Sequence, residues 1–280
     1  MPDLVSSLNQ LAALPGLPER IDAAREACTQ LRWHQALRRR IPEAAAESRV
    51  RGAHQSAQLE GAPIGLEVVR EVMVGARGWP ERLDPMEQAV RGAVQATAET
   101  EHVRASVRTA PLQALARLHV AAAADLLPAE QLGRPRLEGE DCRELLDLGP
   151  APGAGEMRER LEAVGQILVA ADHLPAVVVA GVVHAELASI RPFVRGNGVV
   201  ARAMERAVAQ AAGLDPTGVA VTEAGHARGG GGDYVGALAA YGTGTADGVR
   251  LWLEHCCTAV EVAAAEGVRV ADSVLAGRLG

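Results

Sequence analysis

Between residues 176 and 190 the chain reads AVVVAGVVHAELASI, apolar on nearly every side of a helix. A helix with no polar face must lie at the centre of a fold, with other elements packed all round it. Pro175 stands at its first turn, and Asp172 is placed to cap it. The packing partners are limited by a scarcity of rings: one Phe, two Tyr and three Trp, 2% of the chain. The core must be made of Ala, Val and Leu, which favours closely packed helices over an aromatic-rich sheet. With 280 residues, 48% of them hydrophobic and 22% charged, the chain can bury a full core without staples.

Charge and residue usage exclude several classes of function. A net charge of −7 gives no general attraction to a phosphate backbone, so nucleic acid is not an expected partner. No apolar run is long enough to span a bilayer, and the opening MPDLVSSLNQ lacks the basic-then-apolar order of a signal peptide. A cytoplasmic protein without membrane association is expected. Cys28, Cys142, Cys256 and Cys257 lack metal-ligand spacing, and an adjacent pair suits a shared tetrahedral metal poorly, so reduced, buried thiols and no metal are expected. Lysine is absent, which rules out a phosphate loop of the Gly-Lys-Ser type and any lysine Schiff base.

Helical spacing runs over 21–40 and 43–59 with Pro42 between them, then over 66–74, 86–107, 112–127 and 157–170. Gly61 and Pro63 stop the second of these. His119 reads as a satisfied histidine on a mixed face. The pattern fails over 133–149, which looks like two short extended pieces around Glu138-Gly139. Residues 223–232, with their glycine run, read as a flexible loop, and a last helical region contains Leu251-Trp252-Leu253.

After the apolar helix comes an abrupt turn, Arg191-Pro192-Phe193-Val194-Arg195-Gly196-Asn197-Gly198, and a second helix from Gly198 to about residue 212. Two glycines two apart let successive amides converge into a concave anion cradle. A turn that feeds a helix adds the unpaired amides of its first turn and the helix dipole, and a phosphate-bearing nucleotide is the natural ligand.

The string from Arg191 to Arg202 resembles the signature of the Fic family: His-Pro-Phe, any residue, Asp or Glu, Gly-Asn-Gly, Arg, two residues, Arg. Ser56 to Gly61 is similar to the family's inhibitory-helix pattern, Ser or Thr, three residues, Glu, then Gly or Asn. Tyr234, Leu238, Tyr241 and Trp252 extend the likeness towards the C-terminus. The resemblance implies an all-α, Fic-like helical bundle with a central helix-loop-helix and a small β-hairpin flap. It covers residues 50–262, with the inhibitory helix at about 43–61, the flap at about 133–149 and the motif at 184–202; an N-terminal helical extension, 1–49, and a C-terminal helical tail, 263–280, flank it.

The family activity that this resemblance implies is AMP transfer from ATP to a protein hydroxyl. Its histidine acts as general base, its acidic residue holds magnesium, and its loop amides and two arginines grip phosphates. This chain departs at each chemical position. Arg191 occupies the base position, and a guanidinium with a pKa above ~12 accepts no proton near neutrality. Loss of a general base costs about 10²- to 10⁴-fold. His184, seven residues earlier, lies about 10 Å down the helix. Arg195 replaces the acidic residue and would repel Mg2+, but it could neutralise phosphate directly. Val199 replaces the first arginine, and Arg202 matches the second.

The implied phosphate-binding set is therefore Arg191, Arg195, Gly196, Asn197, Gly198 and Arg202, with Glu60 and Ser56 inhibitory and Glu60 paired to Arg202. No residue stands as a confident catalytic group. ATP or another nucleotide is the implied ligand, an anionic small molecule the broader class, and a protein target could dock at the flap; a homo-oligomer stays open. Three readings compete: a Fic-like domain that binds a nucleotide with transfer weak or lost, an active transferase using non-standard chemistry, and a structural or interaction module.

Overall fold

The structure, a computed structural model, describes residues 4–144 and 148–278. The described residues form helices and connecting turns, with no strand among them. In chain order the helices are α1 (Leu4–Ala12), α2 (Leu17–Arg32), α3 (Ile41–Leu59), α4 (Leu66–Met73), α5 (Pro85–Val103) and α6 (Pro111–Ala123). They continue with α7 (Ala154–Val169), α8 (Ala176–Ile190), α9 (Asn197–Ala211), α10 (Thr222–Ala227), α11 (Gly232–Gly242) and α12 (Ala246–Leu275).

The apolar α8 is where its composition demands. Twelve of its fifteen residues, from Val177 to Ile190, are buried, with α9, α7, α12 and α11 packed against it. Trp252 ties α12 to it by donating its indole N–H to the Gly181 carbonyl at 2.8 Å. One apolar cluster runs from Leu8 to Val274, and a smaller one, including Val50, Ala53, Val69 and Val90, seals α3, α4 and α5. α2 lies along α12, so the two ends of the chain share this core. The expected divisions at 49/50 and 262/263 fall inside the continuous helices α3 and α12.

Local chemistry sets the helix ends. Pro42 sits in the first turn of α3, where its missing N–H is no loss, so it starts a helix rather than kinking one. The helix before it stops at Arg32, and a short 3₁₀ turn, Gln35–Arg38, is capped by the His34 ring, which accepts from the Ala36 N–H at 3.2 Å. Asp84 and Glu87 form a reciprocal capping box at the start of α5.

Three expectations are corrected. Asp172 does not cap α8; it lies in a 3₁₀ turn and pairs with Arg108, and the N-cap is Pro175. Residues 223–232 are not a flexible loop: α10 packs against α12 and α3, and only the glycines from Gly229 to Gly231 take positive φ. The β-hairpin over 133–149 is not seen. The described part of that segment has no strand, and residues 145–147 lie outside the described residues. Its arms donate to the α8–α9 loop instead of to each other, Arg136 N–H to the Pro192 carbonyl and Arg143 N–H to the Val194 carbonyl, both at 2.7 Å. Among the described residues no helix is long and apolar enough to cross a membrane.

Candidate anion site at the start of α9

α8 ends abruptly because Arg191 turns into the left-handed region (φ 44°, ψ 69°), the only non-glycine residue with positive φ among those described. Such a conformation costs about 1–3 kcal/mol and persists where the surroundings over-determine it. Here they do. The Arg191 carbonyl accepts from Arg136 Nε at 2.9 Å, and its own Nη1 donates to the Gly149 carbonyl at 2.8 Å.

The loop is closed by Asn197, whose Oδ1 accepts from the Phe193 N–H at 2.8 Å while its Nδ2 donates to the Phe193 carbonyl at 2.9 Å. Gly196, at φ 83°, makes the left-handed step into α9. Phe193 is buried and stacks on His119, ring centroids 3.7 Å apart and 4° from parallel. His119 Nδ1 accepts from the Gly133 N–H at 2.9 Å, so its Nε2–H is the donor to the Arg195 carbonyl at 3.2 Å. Burial pushes this imidazole down to about 4, which keeps it neutral. The satisfied histidine expected here is thus a brace between the 133–144 segment and the loop.

Arg202, one turn into α9, is fully buried. Its Nη2 donates to Glu60 Oε1 at 2.6 Å and to the Ser56 carbonyl at 3.3 Å, and its Nε donates to Ser56 Oγ at 3.0 Å. The pairing that the resemblance implied is present. Arg202 Nη1 has no hydrogen-bond partner among the described residues. Gly198 makes room for the pair: a Cβ there would meet Glu60 Oε1 at 2.5 Å and Arg202 Nη1 at 3.2 Å.

The first amide of α9 already holds an anion. Glu144 Oε1 accepts from the Asn197 backbone N–H at 2.9 Å and from Asn197 Nδ2 at 2.6 Å. Burial, and next the charge of Glu60, push this carboxyl up to about 7, against the opposing pull of Asn197 and Arg195. A cavity of only about 10 Å³ is left between Glu144, Ala188, Arg191, Asn197, Gly198 and Tyr234. On the other side of Arg191 opens a cleft of about 1010 Å³ lined by Glu156, Arg160, Glu186, Ser189 and Tyr241 among others. Arg191 borders both spaces. Arg195 is half-buried and its carbonyl binds His119, while its guanidinium lies near enough to lower Glu144's proton affinity.

His184 is turned away from the loop. Its Nδ1 meets Glu205 Oε2, and its Nε2 lies 2.8 Å from the Tyr234 hydroxyl. His226 Nε2 reaches the same Glu205 oxygen at 2.7 Å, and its Nδ1 contacts His255 Nε2 at 3.1 Å. A single proton arrangement satisfies the chain, each ring donating to Glu205 and accepting on its far nitrogen. The two imidazoles hold Glu205 well below the usual carboxylate range, and burial lowers His184 to about 4. The ligating atoms of His184, Glu205 and His226 lie within 4.8 Å of one another, a set that could also hold a cation.

Glu144, Glu205, His226 and His255 carry no motif of their own, Tyr234 enters only as part of the family likeness, and sequence reasoning did not reach the contacts of any of them. Arg136 holds the carbonyls of Ile190 and Arg191, where α8 gives way to the loop. Cys28, Cys256 and Cys257 are buried and Cys142 is partly exposed.

Chemically, the site offers amides, guanidiniums and two internal carboxylates, but no proton acceptor at position 191. Nor do the residues fit a magnesium ion. A cation stands at 195, and Glu60 and Glu144 are engaged by Arg202 and Asn197.

A buried helix-loop-helix with the end of an upstream helix packed against the start of its second helix defines a recognisable class of helical domain. The fold is that of Fic family proteins. A Fic family protein from Desulfovibrio desulfuricans G20 matches with a TM-score of 0.71 and 22% identity, over 92% of this chain and 75% of that one. Fic-1 from C. elegans matches at 0.65 and 15%, over 98% and 83%. A Fic domain-containing signaling protein from Bacteroides thetaiotaomicron VPI-5482 matches at 0.66 and 12%, over 91% and 98%. No protein-family model and no curated protein matches the chain.

Proposed function

We propose that this Fic-fold protein binds a nucleotide or another phosphorylated ligand at the N-terminus of α9, that Glu60 restrains the site, and that AMP transfer to protein hydroxyls is weak or lost. The observation that carries the reading is the state of Arg202: a fully buried guanidinium one turn into α9, held by Glu60 and Ser56 of a distant helix with Tyr234 beside it, and with no hydrogen-bond partner for Nη1 among the described residues. A buried donor of this kind is costly to leave unmade and is satisfied by an incoming anion. The loss of transfer is supported by Arg191 and Arg195, which supply neither a base nor a metal ligand.

Calorimetry with ATP, ADP and AMP, with and without magnesium, tests the reading. Binding that persists in EDTA and is lost in Arg202→Ala is expected; no binding of any of the three, in the wild type or in Glu60→Ala, removes the nucleotide. Incubation with labelled ATP and a cell lysate tests the transfer, with no label on protein expected.

A further inference from the structure

We propose that His184, Glu205 and His226 bind one divalent transition-metal ion of the zinc class, through His184 Nδ1, Glu205 Oε2 and His226 Nε2, and that the ion clamps α8, α9 and α10 together. This site lies two turns along α9 from the loop and is independent of any ligand at the helix N-terminus.

The three residues come from three different helices, and all are buried. Their donor atoms lie within 4.8 Å of one another, and two imidazoles with one carboxylate make a donor set that zinc and its neighbours accept. A tetrahedral zinc needs its donors about 3.3 Å apart. His226 Nε2 stands 2.7 Å from Glu205 Oε2, and His184 Nδ1 meets the same oxygen. The donors therefore have to spread by about 1 Å at most to admit the ion. Separations of 21 residues, from 184 to 205 and from 205 to 226, give no ligand pattern in the sequence.

Charge points the same way. Two ring protons converge on one carboxylate oxygen, in the position that a cation would take. With both rings neutral, Glu205 brings a buried negative charge and no guanidinium of its own. Arg202 and Arg206, which flank it along α9, are held by Glu60 and Glu223. Buried charges are paired or coordinate metals.

The far nitrogen of each ring is also held. His184 Nε2 lies 2.8 Å from the Tyr234 hydroxyl, and His226 Nδ1 lies 3.1 Å from His255 Nε2. Ligation of a metal moves each ring's proton from the nitrogen facing Glu205 to the far one. Both outer partners can receive it, because a hydroxyl and a neutral imidazole each donate or accept. The Tyr234 oxygen has two lone pairs, room for a His184 N–H and for the Arg202 guanidinium beside it. Outer partners of this kind fix the tautomer and orientation of ligating histidines. Trp252 stacks on His226, 6° from parallel, and holds its ring plane. His255 also lines a cavity of about 240 Å³ with Asp233, Glu254 and Thr258, which brings the surface to within one residue of His226.

The chain, dialysed against a chelator, is titrated with Zn2+ by calorimetry and with Co2+ by visible absorption, as wild type, Glu205→Gln and His255→Ala. One equivalent is expected to bind, to raise the melting temperature by about 5 °C at saturating zinc, and to give Co2+ the intense d–d bands of a tetrahedral complex. Affinity should fall about 10- to 100-fold in His255→Ala, where the lost side chain holds His226 without touching the ion, and further in Glu205→Gln. In imidazole nitrogen NMR of the wild type, zinc should move the proton of His184 from Nδ1 to Nε2 and that of His226 from Nε2 to Nδ1. Failure of the wild type to bind either ion overturns the proposal, as does binding that Glu205→Gln leaves at wild-type strength. If Glu205→Gln does not fold, the nitrogen spectra decide, and tautomers unchanged by zinc overturn it.

Discussion

Glu60 and Arg202 are 142 positions apart in the chain and meet at 2.6 Å, the guanidinium fully buried and the carboxylate nearly so. Because the charges face each other away from water, each is the other's main compensation. Glu60→Ala leaves Arg202 buried and uncompensated, and breaking a buried pair from one side costs about 3–5 kcal/mol. The expected melting temperature is lower by roughly 10 °C. Millimolar ADP should restore part of the loss, because an anion that binds only the native state stabilises it. Differential scanning calorimetry with and without ADP checks both; a melting point unmoved by ADP would leave the pair as a static brace.

Gly198 and Gly196 differ in what they tolerate. At Gly198 an added methyl meets Glu60 and Arg202, so Gly198→Ala must push the pair apart and should cost about 1–3 kcal/mol. At Gly196 an added methyl fits in ordinary van der Waals contact with Ala123 and Ala122, at 3.7 and 3.8 Å, but φ is 83°. Gly196→Ala should cost about 1–2 kcal/mol through backbone strain alone. Only the Gly198 substitution is expected to change ligand affinity, which titration of the two variants would reveal.

The raised Glu144 carboxyl predicts a pH dependence of stability. An acid whose proton is held more tightly in the folded state than in the unfolded one favours folding at low pH, and that contribution is lost as pH rises through about 7. Glu144→Gln cannot titrate. The difference in denaturation midpoint between wild type and Glu144→Gln should therefore move against the wild type between pH 5 and 8, in steps of roughly one unit. A constant difference across that range would mean that Glu144 ionises normally.

The histidines that are buried or partly buried act in the opposite sense. His119 and His184 are lowered to about 4 by burial, and His255 to about 4 by burial and next by His226. Bases with depressed values favour folding above their ordinary range, near ~6.5, and the contribution is lost as pH falls from there through about 4. NMR titration of the imidazole protons should show these rings neutral at pH 6; a midpoint near ~6.5 in the folded protein for any of them contradicts its placement.

Much of this architecture is legible before folding. The apolar run of α8 fixes its own burial and the Gly-Asn-Gly turn marks where α9 starts, because each is a periodicity or a short-range constraint on the backbone, whereas the pairing of Glu60 with Arg202 is implied only by the resemblance to the Fic family. The 133–144 segment misleads for a physical reason. Extended pieces flanking a turn satisfy their amides most cheaply by pairing with each other, but the α8–α9 loop offers the carbonyls of Pro192 and Val194 instead.

Alone, the amino-acid order determined a helical fold with a buried helix-loop-helix and placed Arg191, Arg195 and Arg202 around its turn. Only the tertiary structure decided what meets the first amide of α9. Glu144 has no local signal, since a carboxylate finds a helix N-terminus only once a distant segment is docked beside it. The same holds for Glu205, whose partners His184 and His226 lie on α8 and α10 while the carboxylate lies on α9. Such contacts depend on charge and distance in three dimensions, and neither is written in the spacing of a chain.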